Sequence, residues 1–161
     1  MAWSSDLIFS VLCELNLFTD VEEDALKTLS TLFEEENYLR GNLIFEEGSV
    51  GTTMMVIAQG KVRVTQKAEV DSHAEEALKV LKTGEVFGEM ALLEELPRSA
   101  TAIAHTDVII LSISRTHFLQ FLDQDCHNGL KIALRLAQTL SARLREADMK
   151  LKTFVNLTQW I

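Results

Sequence analysis

The spacing of apolar residues changes twice along this chain of 161 residues. The first third reads as short helices, Asp6 to Leu15 and Val21 to Phe33, the second opened by Thr19 or Asp20 as an N-cap with acids in its first turn. From Asn37 to about Ile113 the pattern becomes short apolar or alternating runs broken by glycine, which predicts strands of a sandwich or barrel. The candidates are Tyr38–Phe45, Met54–Ala58, Lys61–Gln66, Leu78–Leu81, Ala100–His105 and Val108–Ile113. In Lys61-Val62-Arg63-Val64-Thr65 the alternation turns Val62 and Val64 to a core and the charges to water, as in an antiparallel sheet with one wet face. Gly41, Gly48, Gly51 and Gly60 fall at predicted turns, where positive φ costs glycine little. The polar stretch Ala68–Ala77 reads as a hairpin loop.

After Ser114, itself an N-cap, helical spacing returns through Phe118, Leu119 and Leu122. A long helix begins near Asn128. In it Leu130, Ala133, Ala137, Leu140, Leu144, Ala147, Leu151 and Phe154 recur at alternating three- and four-residue steps, a heptad seam that calls for a partner helix. The expectation is a parallel homodimer through this helix. Ile132, Leu134 and Leu136 lie off the seam and are expected to pack on the chain's own sheets. The domain reading is therefore residues 1–127 as the sheet-bearing body and 128–161 as the C-terminal helix.

Composition narrows the function classes. Apolar residues make up 47% and charged residues 24%, as in an ordinary globular domain with a core of its own. Cys13 and Cys126 lie far apart in no CxxC spacing, so they suggest two buried thiols rather than a disulfide framework or a zinc site. The start lacks a basic stretch and carries Asp6, unlike a secretion signal, and no apolar run approaches the ~20 residues of a membrane helix. The expectation is a cytoplasmic protein with no membrane partner. The formal charge is -9, spread unevenly: residues 1–127 hold 9 Lys and Arg against 22 Asp and Glu, residues 128–161 hold 6 against 2. An acidic body repels nucleic acid backbones. The basic residues of the tail, Lys131, Arg135, Arg143, Arg145, Lys150 and Lys152, read as a solvated helix face.

The stretch that carries chemistry is Phe87 to Thr101, FGEMALLEELPRSAT. Gly88 to Leu93 reads as a helical turn entered through glycine, with unpaired N–H groups and the positive dipole end directed outward, which suits an anion. Arg98 follows Pro97, and its guanidinium can make paired charge-assisted bonds to phosphate oxygens. Glu89 would repel a phosphate at close range, but it suits a sugar hydroxyl beside one. A 3′,5′-cyclic nucleotide presents phosphate and ribose 2′-OH side by side. Ser99 adds a hydroxyl for the phosphate or a base amino group. Each residue also has a purely structural reading: Glu89 as a helix cap, Arg98 paired with Glu94 or Glu95, Ser99 as a strand-edge hydroxyl.

Phe87 to Ala100 resembles, without gap, the pattern of the cyclic nucleotide-binding domain family, of the cAMP receptor protein and kinase regulatory-subunit type. Leu15-Asn16-Leu17-Phe18, Gly41, Glu47-Gly48 and Gly60-Lys61-Val62 extend the likeness over most of the chain. Ser49 stands where the family often has Asp, and Met54-Met55 replaces a commoner aromatic-containing pair. The resemblance implies an α+β fold: a jelly-roll-like β-roll of about eight antiparallel strands, with N-terminal helices and a long C-terminal helix. It places Phe87, Gly88, Met90, Ala91 and Ala100 around the ligand, Gly88 and Met90 backbone groups with Arg98 and Ser99 on the phosphate, and Glu89 on the ribose. The expected ligand is cAMP, less readily cGMP, bound without a metal. Asp148 on the final helix is expected to face an adenine amino group as that helix closes over the pocket.

The implied function is a sensor without catalysis of its own, acting through an unidentified protein partner. A metalloenzyme on a β-roll would need clustered ligands, and His73, His105, His117 and His127 stand in different elements. A transcription regulator would need a DNA-reading domain after the long helix, and Thr153–Ile161 is too short for one. The alternatives are a fragment of such a regulator, or a degenerate domain kept as a protein-binding module.

Overall fold

The computed structural model describes residues 3–67 and 75–158. Two helices open it, α1 (Ser5–Cys13) and α2 (Glu23–Ser30), joined through a 3-10 turn at Asn16–Phe18. Strands β1 (Glu34–Tyr38), β2 (Leu43–Phe45), β3 (Thr53–Gln59), β4 (Lys61–Lys67), β5 (Glu75–Lys82) and β6 (Val86–Phe87) lead to the short helix α3 (Met90–Leu93). Then come β7 (Thr101–Ala104), β8 (Val108–Ser114), α4 (Arg115–Gln124) and the long α5 (Cys126–Thr158). The strands form two antiparallel sheets, ordered β1-β8-β3-β6 and β2-β7-β4-β5. This is the expected β-roll of eight strands between N-terminal helices and a long C-terminal helix.

Strand β3 shows why the roll has two cores. Its sequence TMMVIAQ is a continuous apolar run, and period two sends alternate residues to opposite faces. Met54, Val56 and Ala58 join Leu111 and Ile113 of β8 against α1, α2, α4 and α5. Met55 and Ile57 face the other way with Val108, Ile110, Val62, Ala102 and Ala104, filling the space between the sheets. Both faces of this sheet are thus covered, and Met54 and Met55 are buried scaffold. In β4 Val62 is fully buried and Val64 half-buried, as the alternation predicts.

Several boundaries differ from the sequence reading. The expected single strand Tyr38–Phe45 is two, divided by a turn in which Asn42 Oδ1 accepts from the Leu39 N–H at 2.9 Å. β1 carries Glu34, Glu35 and Glu36, yet pairs along the apolar β8 from Glu34↔Ser112 to Tyr38↔Val108; its partner strand, not its own propensity, makes it a strand. The two-residue β6 has no periodicity to read. The N-cap of α2 is Glu22, which makes no side-chain cap bond; Thr19 donates instead to the Asn16 carbonyl, and Asp20 pairs with Arg135. Ser114 does cap α4, accepting from the His117 N–H at 3.1 Å. Both cysteines are exposed rather than buried, Cys13 at the last residue of α1 and Cys126 at the first of α5. Gly51 lacks the positive φ that Gly41, Gly48 and Gly60 have. Of the expected loop Ala68–Ala77, residues 68–74 lie outside the described residues, as do 159–161 of the C-terminal end.

Helix α5 has an anchored half and an outlying half. Asp125 caps it, its carboxylate accepting from the N–H and the side-chain amide of Asn128 at 3.1 and 2.9 Å. Asn128 is buried and its Oδ1 accepts from the Glu22 N–H. Ile132 and Leu136 enter the core, and Leu140 packs against it half-buried. Leu134, expected inward, is exposed: two residues from each, it points to the opposite side of a 3.6-residue helix. The basic tail is more than a solvated face, since Lys131 pairs with Glu22, Arg135 with Asp20 and Arg143 with Glu89. From Ser141 to Thr153 every residue is exposed. No helix among the described residues is long and apolar enough to cross a membrane.

Candidate functional site

Strand β6 ends on Phe87, buried between the sheets, and the chain must then turn sharply into α3. Gly88 makes that turn with φ of +70°, where an added Cβ would lie 2.6 Å from Arg98 Nη1 and 3.1 Å from the Thr53 carbonyl oxygen. Only glycine offers both the backbone conformation and the clearance. Glu89 follows at the head of α3 and makes no cap bond with its side chain. After α3 the chain returns through Pro97, which bridges to Val50. The main chain of Arg98 is held by the preceding loop, its N–H donating to the Ser49 carbonyl and its carbonyl accepting from the Gly48 N–H, each at 2.8 Å. Since the backbone of Ser49 makes that bond, Ser in place of Asp leaves it intact.

Arg98 is fixed from several sides. Nη1 donates to the Thr53 and Gly88 carbonyls at 3.0 and 3.3 Å, and Nη2 to Thr53 Oγ1 at 2.9 Å. The guanidinium stacks on the Phe45 ring, 4.2 Å from its centroid, and Phe45 in turn packs on Phe87. Gly51 supplies room, because a Cβ there would come within 2.9 Å of Arg98 Nε. Burial pushes the guanidinium below its ordinary pKa, and the negative charge of Glu89 acts in the opposite direction. Arg98 does not pair with Glu95, which is taken by Arg115 at 2.9 Å.

Among the described residues, Glu89 and Arg98 are the only charged ones that are buried, at 3% and 8% exposure. Both border one cavity of about 500 Å³. Phe87, Gly88, Glu89, Met90, Ala91, Arg98, Ser99 and Ala100 all line it. β4 and β5 supply Val64, Lys79 and Leu81, and α5 supplies Arg143, Glu146, Ala147 and Lys150. The cavity therefore joins a cation and an anion on one wall to apolar surface and a helix on the others, the mixture expected of a site for a small polar molecule with an aromatic part. No group of three or more His, Cys, Asp or Glu among the described residues is placed to hold a metal ion.

Asp148 is not brought to this cavity. It is exposed, whereas the lining residues of α5 recur at Arg143, Ala147 and Lys150. They continue the stripe of Ile132, Leu136 and Leu140 in steps of four and three, and Asp148 lies one residue, about 100°, off it. Phe45, Thr53, Gly51 and Arg143 went unrecognised in the sequence. The stripe was the one available signal for Arg143, since buried and lining residues share a helical face.

The sequence profile of the cyclic nucleotide-binding domain matches residues 35–125, more than half of the chain. The chain belongs to the cyclic nucleotide-binding domain family. The cyclic AMP receptor protein of Thermus thermophilus is 34% identical over 138 residues, 84% of this chain and 60% of that protein. Human cGMP-dependent protein kinase 2 is 39% identical over 107 residues, 66% of this chain and 14% of the kinase. The chain thus spans less than two thirds of the receptor and about a seventh of the kinase. The crystal structure of a cyclic nucleotide-binding domain from Methylobacillus flagellatus superposes with a TM-score of 0.77 at 25% identity, covering 91% of this chain and 81% of that one. Domains of this family are regulatory units, and the kinase likeness is confined to a small part of the enzyme. The buried Glu89 and Arg98 fall inside the profile match, and the α5 residues that close the cavity fall beyond it.

Proposed function

We propose that this chain is a sensor that binds a 3′,5′-cyclic nucleotide in the cavity beside α3 and carries out no reaction of its own. The observation that supports it most is the pair of buried charges on one cavity, Arg98 for the cyclic phosphodiester and Glu89 for the ribose 2′-OH. A single negative phosphodiester matches one arginine, and burial strengthens both interactions. Main-chain groups of Gly88 and Met90 and the Ser99 hydroxyl complete the phosphate side, with Phe87, Ala91 and Ala100 shaping the walls. cAMP is the preferred ligand, supported by the longer match to a receptor named for cyclic AMP than to a kinase named for cGMP.

Residues 1–127 form the binding unit in this reading, and 128–161 the lid and dimerisation helix. Four residues of α5 line the cavity, so occupancy and helix position depend on each other, and binding shifts the population of helix positions. The exposed Leu130, Leu144 and Leu151 of α5 meet a second copy in a parallel homodimer, and an unidentified cytoplasmic protein reads the change. A second reading is favoured by the 60% share of the Thermus protein that the chain spans: the chain is the sensing part of a longer transcription regulator.

Calorimetry with cAMP, cGMP and 5′-AMP tests the proposal. The cyclic nucleotides bind one per chain, 5′-AMP binds far more weakly, and Arg98→Ala abolishes binding. Undiminished binding by Arg98→Ala overturns it.

A further inference from the structure

The outer face of the sheet β2-β7-β4-β5 carries a charge pattern unlike the rest of the roll. Residues 1–127 hold 9 Lys and Arg against 22 Asp and Glu, yet five of the nine, Lys61, Arg63, Lys67, Lys79 and Lys82, stand on β4 and β5. Lys79 pairs with Glu85 at 3.0 Å. Lys61 and Lys82 are exposed and sit directly opposite each other across the two strands. Like charges so placed destabilise a sheet, and neither lysine has an ion-pair partner among the described residues. Arg63, two residues from Lys61 and so on the same face, has its Nε covered without a hydrogen-bond partner.

Arg63 also stands in an apolar row. The register sets Val80, Arg63, Ile103 and Leu43 side by side across β5, β4, β7 and β2. Val80 is 38% and Leu43 54% exposed, and Ile103 is half-buried. Neighbouring strands lie about 4.8 Å apart, so the row is about 14 Å long, with Lys61 and Lys82 about 7 Å to one side of it. Val64 and Leu81, on the inward face of the same two strands, line the cavity. The mixed basic and apolar face is therefore the outer side of the cavity wall.

We propose that this face docks an acidic amphipathic helix of a partner protein. The inference gives a chemistry to the partner in the sensor reading above, and rests on that reading for the partner's existence. A helix about 10 Å across covers both rows. Carboxylates at i and i+4, about 5–6 Å apart, meet Lys61 and Lys82 and relieve their repulsion, and Arg63 gains an acceptor. An apolar stripe beside them covers Val80, Ile103 and Leu43. A bilayer or a nucleic acid duplex is a far wider anion, which would also meet the acids bordering the patch, Glu46 and Glu47 after β2 and Asp107 after β7. A narrow helix reaches the cations without them.

The test uses the full chain and a fluorescent synthetic helix of about three heptads with a Leu stripe beside a Glu stripe, read by anisotropy. A copy with Lys for every Glu, and vesicles containing phosphatidylserine, serve as controls. The acidic helix binds and the controls do not, and Lys82→Glu weakens its binding by about tenfold or more, the scale of a charge-assisted contact. The same substitution raises the melting temperature by about 1–3 °C, because it turns a repelling cross-strand pair into an attracting one. It leaves cAMP affinity within about twofold. Acidic-helix binding as tight in Lys82→Glu as in the wild type overturns the inference, as does a melting temperature that falls. Vesicle binding that Lys82→Glu abolishes overturns it in favour of a membrane. A chain that binds the helix but no cyclic nucleotide upholds the docking face and sinks the nucleotide reading.

Discussion

The guanidinium of Arg98 lies 4.2 Å from the centre of the Phe45 ring while its Nη1 is 3.0 Å from the Thr53 carbonyl oxygen. The ring covers one face of the cation and the carbonyl holds its edge, so Arg98 is oriented by the roll before any ligand arrives. Removing the ring while keeping an apolar residue isolates that contribution. Phe45→Leu should weaken cyclic nucleotide binding by about three- to tenfold, within the range of a partly desolvated cation–π contact. Calorimetry at fixed ionic strength checks this, and an unchanged affinity would show that Arg98 is placed by Thr53 and Gly88 alone.

Two glycines with positive φ separate backbone strain from crowding. Gly41 has open space around the position of a Cβ, whereas Gly88 faces Arg98 and Thr53 at 2.6 and 3.1 Å. Gly41→Ala should therefore cost only the left-handed conformation, about 1–2 kcal/mol, and leave nucleotide affinity intact. Gly88→Ala should destabilise more and weaken binding by about tenfold or more, because the clash displaces Arg98, and charged hydrogen bonds are worth about 1.5–3 kcal/mol each. Denaturant melts and titrations of the two variants side by side give the comparison.

The exposed leucines of α5 bear on assembly. Leu144 and Leu151 are 64% and 62% exposed and seven residues apart, the spacing of one heptad position. Leu144→Glu combined with Leu151→Glu should give a monomer in sedimentation equilibrium where the parent chain is a dimer. Identical masses for the two proteins would remove α5 as the dimer seam.

The cap of α5 predicts a pH dependence. The two hydrogen bonds from Asn128 to Asp125 hold that carboxyl below its ordinary pKa. A carboxylate with a lowered pKa in the folded state stabilises above the unfolded value, about 3.9, and loses that contribution as pH falls through the folded value. Asp125→Ala should melt a few degrees lower than the parent at pH 7. The difference should close below about pH 4, as the parent's carboxylate protonates. A gap that persisted into acid would mean the loss is one of packing.

Asp148→Ala should leave both cAMP and cGMP affinities within about twofold, since surface substitutions away from partners change energies by about half a kcal/mol or less. Selective loss of cAMP binding would mean that α5 rotates to bring Asp148 inward.

What the sequence determined by itself is local. Period two in Lys61–Thr65, glycine at the turns of Gly41, Gly48 and Gly60, the Ser114 cap and the unbroken spacing from Phe87 to Ala100 are properties of neighbouring residues, and each stands where it was expected. The cassette residues reached one cavity because a tight turn and a short helix keep them close along the chain. Tertiary structure decided whatever depends on a distant partner. Three consecutive glutamates became β1 because β8 lies beside them, and Leu134 faces outward because the rotation of α5 is set by Ile132 and Leu136 in the core. That same rotation put Arg143 rather than Asp148 at the cavity, and the fold alone brought Phe45 and Thr53 from earlier strands onto Arg98. Helical spacing reveals which residues share a face, but which face meets the cavity depends on where the helix is anchored, and that is a property of the whole packed chain.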